Sequence, residues 1–152
     1  MIEIEGLTKA YDGHVVVDGV SLTIPRGGLT GIIGPNGAGK STLLGLIARL
    51  LAADRGTVAV DGLNVATTPG EELSRRLSVL KQDNSIAARL TVRDLVAFGR
   101  YPHSRGRLGE ADHAMIGRAL SYLGLEPIAD RFLDELSGGQ RQRAYVAMVL
   151  AQ

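Results

Sequence analysis

Apolar and polar positions alternate over the first 24 residues. Ile2-Glu3-Ile4-Glu5 has period two, Val15-Val16-Val17 is β-branched, and Val20-Ser21-Leu22-Thr23-Ile24 alternates again before the turn Pro25-Arg26-Gly27-Gly28. An antiparallel β layer is expected there. Leu29-Thr30-Gly31-Ile32-Ile33 is apolar apart from one Thr and one Gly, which predicts a short strand buried on both faces of a parallel sheet. From Ser41 the period lengthens. Leu43, Leu46, Ile47 and Leu50 fall at i, i+3, i+4 and i+7 of a helix expected to end near Ala52-Ala53-Asp54.

Further on, Thr57-Val58-Ala59-Val60 reads as a strand with a turn at Asp61-Gly62, residues 71–76 as a short helix, and Leu77-Ser78-Val79-Leu80 as a strand leading to Gln82. Strands alternating with helices favour an α/β core. Between residues 91 and 125 the pattern turns helical. One helix is expected over 91–99, with Thr91 and Asp94 as a capping box, and another over 110–123 with Gly124 at its C-terminus. A last helix over 139–152 places Ala144, Ala147, Met148 and Ala151 on one small apolar face.

Composition removes several classes. The 152 residues carry 17 Lys+Arg against 16 Asp+Glu, a net charge of +1, so the basic excess of a non-specific nucleic-acid binder is missing and no nucleic acid is expected as a partner. Hydrophobic residues at 45% and charged residues at 22% fit a globular chain. With no cysteine there is no disulfide, thiolate zinc site, iron–sulfur cluster or cysteine nucleophile. His14, His103 and His113 are too scattered in sequence to suggest a metal site. The longest apolar stretch, residues 43–53, is broken by Arg49 and falls short of the roughly 18 to 20 residues that span a bilayer. The first residues lack the basic and apolar regions of a secretory signal.

Two glycine-rich loops carry the chemistry. Gly34-Pro35-Asn36-Gly37-Ala38-Gly39-Lys40-Ser41-Thr42 satisfies G-x-x-x-x-G-K-[ST] between the expected strand and helix. A phosphate-wrapping loop needs consecutive N–H groups pointing inward, and Gly34, Gly37 and Gly39 permit the dihedrals and the close approach. Lys40 would reach the β- and γ-phosphates and the Ser41 hydroxyl would bind Mg²⁺. Leu136-Ser137-Gly138-Gly139-Gln140 also opens a helix with a hydroxyl and glycine N–H groups, a second anion-ready helix start.

Together these loops resemble the Walker A and LSGGQ signature motifs of ATP-binding cassette (ABC) ATPases, and the resemblance covers essentially the whole chain. It implies an α/β fold: a P-loop NTPase core with an N-terminal antiparallel β layer and an α-helical subdomain, incomplete at the C-terminus. The divisions implied are 1–28 for the β layer with its adenine-contacting loop, 29–90 for the core as far as the Q-loop, 91–134 for the helical subdomain, and 135–152 for the signature motif and its helix. ATP and Mg²⁺ are the implied cofactors. A head-to-tail dimer is implied in which Ser137, Gly138 and Gly139, between Leu136 and Gln140, contact the γ-phosphate held by Lys40 of a second ATP-binding subunit. Gln82 falls where the family's Q-loop glutamine coordinates Mg²⁺ and the attacking water, and Tyr11 where an aromatic ring stacks on adenine, with Lys9 and Gly13 in the same loop.

Residues 91–103 closely resemble the helical subdomain of cassettes serving ferric siderophore, haem and cobalamin importers. That implies the ATP-binding subunit of an ABC importer, coupling ATP binding and hydrolysis to uptake of an iron-siderophore or similar metal chelate. It would work at the cytoplasmic face of the cell membrane with integral-membrane permease subunits and, indirectly, a substrate-binding protein. The charges of residues 100–107, which alone read as a solvated basic loop, would then serve docking on the permease.

The family's Walker B Asp, catalytic Glu and switch His lie beyond the signature helix, and residues 1–152 contain none of them. Phe132-Leu133-Asp134-Glu135 lacks the preceding apolar strand and comes before the signature, so it is rejected as Walker B. The chain reads as the front part of a longer protein or as a truncated gene product, of marginal stability and without turnover by itself. Two further readings are a soluble ABC ATPase of DNA repair or translation, disfavoured by the short span between Lys40 and Ser137, and a nucleotide-binding fragment without turnover. A small-molecule kinase or GTPase would not need the second loop.

Overall fold

Two glycine bulges let β1 (Ile2–Tyr11) and β2 (His14–Ile24) keep a single apolar face along their length. Ile4 and Leu7 are both buried although three residues apart, because Gly6, at φ +56°, interrupts the alternation and returns Leu7 to the core side. Gly19, at φ +55°, does the same between Val17 and Val20. The displaced amides are satisfied across the hairpin: Gly6 N–H donates to Ser21 Oγ at 2.8 Å, and Gly19 N–H to Thr8 Oγ1 at 3.1 Å. Asp12 and Gly13, both with positive φ, form the two-residue turn that closes the hairpin.

A computed structural model provides the coordinates, and the structure describes residues 1–80 and 88–152. The chain divides into two compact units, Met1–Leu77 and Ser78–Gln152. In the first, the sheet order is β2-β1-β3-β4, all antiparallel, with β3 (Arg55–Val60) and β4 (Leu63–Asn64) joined at the positive-φ pair Asp61-Gly62. Helix α1 (Lys40–Ile47) contributes Leu46 and Ile47 to the core formed with Ile4, Leu7, Val17, Val58 and Val60. Helix α2 (Gly70–Ser74) adds Leu73 to it.

Helix α1 stops earlier than its apolar period suggests. Arg49 takes φ +57°, Arg49 N–H donates to the Leu46 carbonyl and Leu50 N–H to the Gly45 carbonyl, the pattern of a Schellman stop. Leu51 then folds over Gly45, where a β-carbon would meet its Cδ1 at 2.8 Å.

The strands expected at Leu29-Thr30-Gly31-Ile32-Ile33 and Leu77-Ser78-Val79-Leu80 are not formed. Leu29 and Ile33 are 102% and 96% exposed, the reverse of a strand covered on both faces. No strand among the described residues pairs with either segment, and a β ladder exists only through its neighbours. Strand 55–60, for its part, extends the N-terminal antiparallel layer. The fold is α/β, with its described sheet antiparallel throughout.

The second unit is helical: α3 (Val92–Phe98), α4 (Tyr101–Ser104), α5 (Glu110–Tyr122) and α6 (Gly138–Ala151), with 3₁₀ turns at Glu126–Ile128 and Leu133–Glu135. Thr91 and Asp94 form the expected capping box, and Gly124, at φ +62°, ends α5. Ala144, Ala147 and Ala151 are fully buried with Val92, Leu95, Val96 and Leu120, and Met148 packs beside them. Residues 133–135 form a 3₁₀ turn.

Candidate functional site

The loop ahead of α1 is shaped by its glycines. Gly37 and Gly39 take φ +84° and +78°, a region L side chains rarely enter. Gly39 also lies against β2, where a β-carbon would sit 2.6 Å from the Val16 carbonyl oxygen. Around Gly37 there is open space. Leu43 N–H donates to the Gly39 carbonyl, so the amides of Lys40, Ser41 and Thr42 belong to the first turn and have no earlier helical carbonyl to bond.

Lys40 turns back onto its own loop. Its Nζ donates to the Gly34 carbonyl at 2.8 Å and the Pro35 carbonyl at 2.7 Å. Both residues are exposed, so an anion entering the loop would exchange two neutral acceptors for a charged one, and charge-assisted hydrogen bonds are the stronger kind. Pro35, Asn36 and Ala38 complete the exposed curl, Ser41 is exposed on the first turn, and Thr42 is half-buried behind it. Helix α1 has no acidic residue in its first turn, whereas α2, α3 and α5 each have one or more. The residues present therefore fit a phosphate chain.

Tyr11 sits at the tip of β1, paired with His14 across the hairpin, and is 42% exposed. Lys9 Nζ lies over its ring, 5.5 Å from the centroid, and is fixed by Asp54 Oδ1 at 2.8 Å, while Ala10 N–H donates to Asp54 Oδ2 at 2.7 Å. These bonds, Lys9 first, hold the Asp54 carboxyl below its ordinary pKa. Val16, the residue Gly39 rests on, is two positions from His14 on the same strand, about 7 Å along it. Gln82 lies outside the described residues.

The second loop begins α6. Ser137 is its N-cap: Ser137 Oγ accepts from Gln140 N–H at 3.3 Å and Ser137 N–H donates to Gln140 Oε1 at 3.0 Å. Gly138 and Gly139 have open space where side chains would be, and Leu136 is buried in the helical core. This helix also lacks an acidic residue in its first turn.

Within residues 100–107, Arg100 turns inward, while His103, Arg105 and Arg107 are exposed. Arg100 is buried, with Nε 2.8 Å from Asp112 Oδ1 and Nη1 donating to the Ala151 carbonyl at 2.6 Å; His103 Nε2 is 2.6 Å from the Gln152 carbonyl. Sequence reasoning missed this use, since a charge in a loop reads as solvated. The signal was the adjoining Gly99, which only a close helix contact requires.

The profile of the ABC transporter family matches residues 17–152. The chain belongs to that family. It is 51% identical over its full length to the petrobactin import ATP-binding protein YclP of Bacillus subtilis, covering 60% of that protein, and 48% identical to the petrobactin import ATP-binding protein FatE of Bacillus anthracis, covering 61%. It is 43% identical, over 97% of its length and 55% of the relative's, to the ferric enterobactin transport ATP-binding protein FepC of Escherichia coli. The chain thus spans about 60% of the length of the curated relatives it matches. Among solved structures, an ATP binding subunit of an ABC transporter superposes with TM-score 0.84 at 25% identity, over 99% of this chain and 62% of that one. The cbiO1 protein of Clostridium perfringens, part of the ABC transporter complex cbiONQ, does so with TM-score 0.84 at 29% identity, over 99% and 61%. As a member of the ABC family the chain shares that family's fold, and among its described residues no helix is long and apolar enough to cross a membrane.

Proposed function

We propose that this chain forms the ATP-binding part of an ABC importer subunit that drives uptake of an iron-siderophore or a similar metal chelate. The observation that carries the nucleotide reading is the shared build of α1 and α6: each starts at a glycine loop and has no carboxylate in its first turn, and α1 adds a lysine held over loop carbonyls. The cargo reading rests on the names of the relatives, two of them petrobactin importers and one a ferric enterobactin transporter. All three are transport components, which favours transport over a soluble repair or translation role.

In this reading Gly34, Pro35, Asn36, Gly37, Ala38, Gly39, Lys40, Ser41 and Thr42 hold the phosphates, with Lys40 trading the Gly34 and Pro35 carbonyls for phosphate oxygens. Ser41 and Gln82 hold Mg²⁺, and Tyr11 offers its ring to adenine. Leu136 and Gln140 fix the loop in which Ser137, Gly138 and Gly139 face the nucleotide of a second ATP-binding subunit, head to tail. Bound Mg·ATP supplies a hydrolysable phosphoanhydride whose charge the loop amides and Lys40 neutralise. Integral-membrane permease subunits dock on this subunit at the cytoplasmic face of the membrane, and a substrate-binding protein delivers the chelate.

The test is uptake in the host. Deleting the gene should abolish ATP-dependent accumulation of one iron-siderophore, and the wild-type gene, but not one carrying Lys40→Ala, should restore it. Restoration by Lys40→Ala would refute the nucleotide role; unchanged uptake of every ferric siderophore tested, with loss of another solute, would refute the cargo.

A further inference from the structure

Arg100 is one of two polar or charged residues buried among the described residues, and it joins three helices. Its Nε reaches Asp112 Oδ1 at 2.8 Å in the first turn of α5, while Nη1 donates to the Ala151 carbonyl at 2.6 Å at the end of α6. The other Asp112 oxygen accepts Gly109 N–H at 3.0 Å, so the same carboxylate caps α5 and aims the guanidinium. Immediately before it, Gly99 touches α6 from the end of α3. A β-carbon there would lie 2.0 Å from the Met148 carbonyl oxygen, a separation no side chain tolerates. Two consecutive residues thus grip α6 at carbonyls 148 and 151, close to one helical turn apart.

Such a grip fixes the helix along its axis. Three of the four buried residues of α6 are alanines, Ala144, Ala147 and Ala151; Tyr145 and the partly buried Met148 supply the larger side chains, and the contacts at carbonyls 148 and 151 add to them in resisting sliding. Helix α6 has 14 residues, about 21 Å of rigid rod, so a shift at its C-terminal end reaches Ser137 undiminished. We propose that Arg100, together with Gly99, is a positioning residue that sets the axial place of α6 and so the place at which Ser137, Gly138 and Gly139 meet nucleotide. The inference rests on the nucleotide role assigned to those three residues above. Arginine is needed because two acceptors in different directions take two of its fixed donors, whereas a lysine ammonium serves them only as a point charge.

The experiment compares wild type, Arg100→Lys and Arg100→Ala in the protein as its host makes it. The chain has no cysteine, so Arg118→Cys on α5 and Arg143→Cys on α6, both at exposed positions, accept spin labels selectively. With no nucleotide added, the label distance in Arg100→Lys should move by about 1 Å or broaden, a fraction of one helical rise. In the subunit assembled with its permease, kcat for ATP should fall about tenfold or more, the order that small misplacements of reacting groups cause, while ATP affinity and the thermal midpoint stay near wild type. An unchanged distance, an unchanged kcat, or a kcat loss matched by an equal loss of folded protein each overturns the inference. If Arg100→Ala does not fold, Asp112→Asn, which weakens the same grip, must show the same distance change in smaller measure. Wild-type protein that binds no ATP would sink the proposed function, and the distance measurement would still decide whether Arg100 places α6.

Discussion

Gly39 rests on Val16 so closely that a β-carbon would come 2.6 Å from the Val16 carbonyl oxygen. The end of the phosphate loop is therefore seated on the antiparallel sheet, on the strand that leads out of the Tyr11 hairpin. Packing, as well as ligand chemistry, demands glycine at this position. At Gly37 the demand is conformational alone, since the surrounding space is open.

The two glycines are thus separable by substitution. Gly37→Ala should cost about 1–2 kcal/mol, the penalty for a left-handed alanine. Gly39→Ala adds a backbone clash to that penalty and should cost clearly more, with loss of nucleotide binding. Chemical denaturation of both variants measures this. Equal losses would show that the Val16 contact does not constrain the loop.

Lys40 supports the opposite balance. The Gly34 and Pro35 carbonyls it holds are exposed, so water replaces the ammonium in Lys40→Ala and the thermal midpoint should barely change. Nucleotide binding loses a charge-assisted contact of about 1.5–3 kcal/mol, a drop of about 10- to 100-fold in affinity. Titration with a fluorescent ATP analogue reads this directly. A large stability loss with unchanged affinity would mean that Lys40 serves the loop and not the ligand.

Local turns and caps were more legible in the sequence than the sheet. Asp61-Gly62, Thr91 with Asp94, and Gly124 act through one or two residues, and each takes the turn or cap its chemistry dictates. The stop of α1 has the same Schellman hydrogen bonds as the stop at Gly124, but with Arg49 in the glycine's place it left no signal. Gly6 and Gly19 broke the period-two pattern because each is a bulge, so one continuous β2 read as two fragments. Segments 29–33 and 77–80 have strand-like composition, yet a strand needs a neighbour to bond to, and their own residues cannot provide it. The inward use of Arg100 depends on helix packing, of which the neighbouring Gly99 is a local sign that does not name the partner helix.

Acid should destabilise both units. Arg26 and the N-terminus hold the Asp61 carboxyl well below its usual range, Lys9 and Ala10 lower Asp54, and Gly109 N–H with Arg100 lowers Asp112. A depressed folded-state pKa means that the unfolded chain takes up the proton first. The stability these groups contribute is present above about pH 4, the unfolded aspartate value, and is lost as pH falls through the folded values. Thermal midpoints should therefore change little from these groups between pH 7 and 5 and drop between pH 4 and 2. Asp54→Asn should flatten part of that drop, and a wild-type midpoint constant down to pH 2 would refute the argument.

Ser137 has two separable duties. As N-cap of α6 it accepts from Gln140 N–H, and Ser137→Ala should cost about 1 kcal/mol through that loss alone. Ser137→Asp keeps an N-cap acceptor and adds a negative charge that the helix dipole favours, so the folded state should be as stable as wild type or slightly more so. The same carboxylate would occupy the amide-lined start of α6, where the proposed function puts a γ-phosphate, and repel it. Stability and ATP turnover should consequently part company: Ser137→Asp keeps its thermal midpoint and loses turnover in the assembled transporter, while Ser137→Ala loses some of each. Turnover retained by Ser137→Asp would mean that the α6 start is a helix cap and nothing more, and that nucleotide is contacted by the Lys40 loop alone.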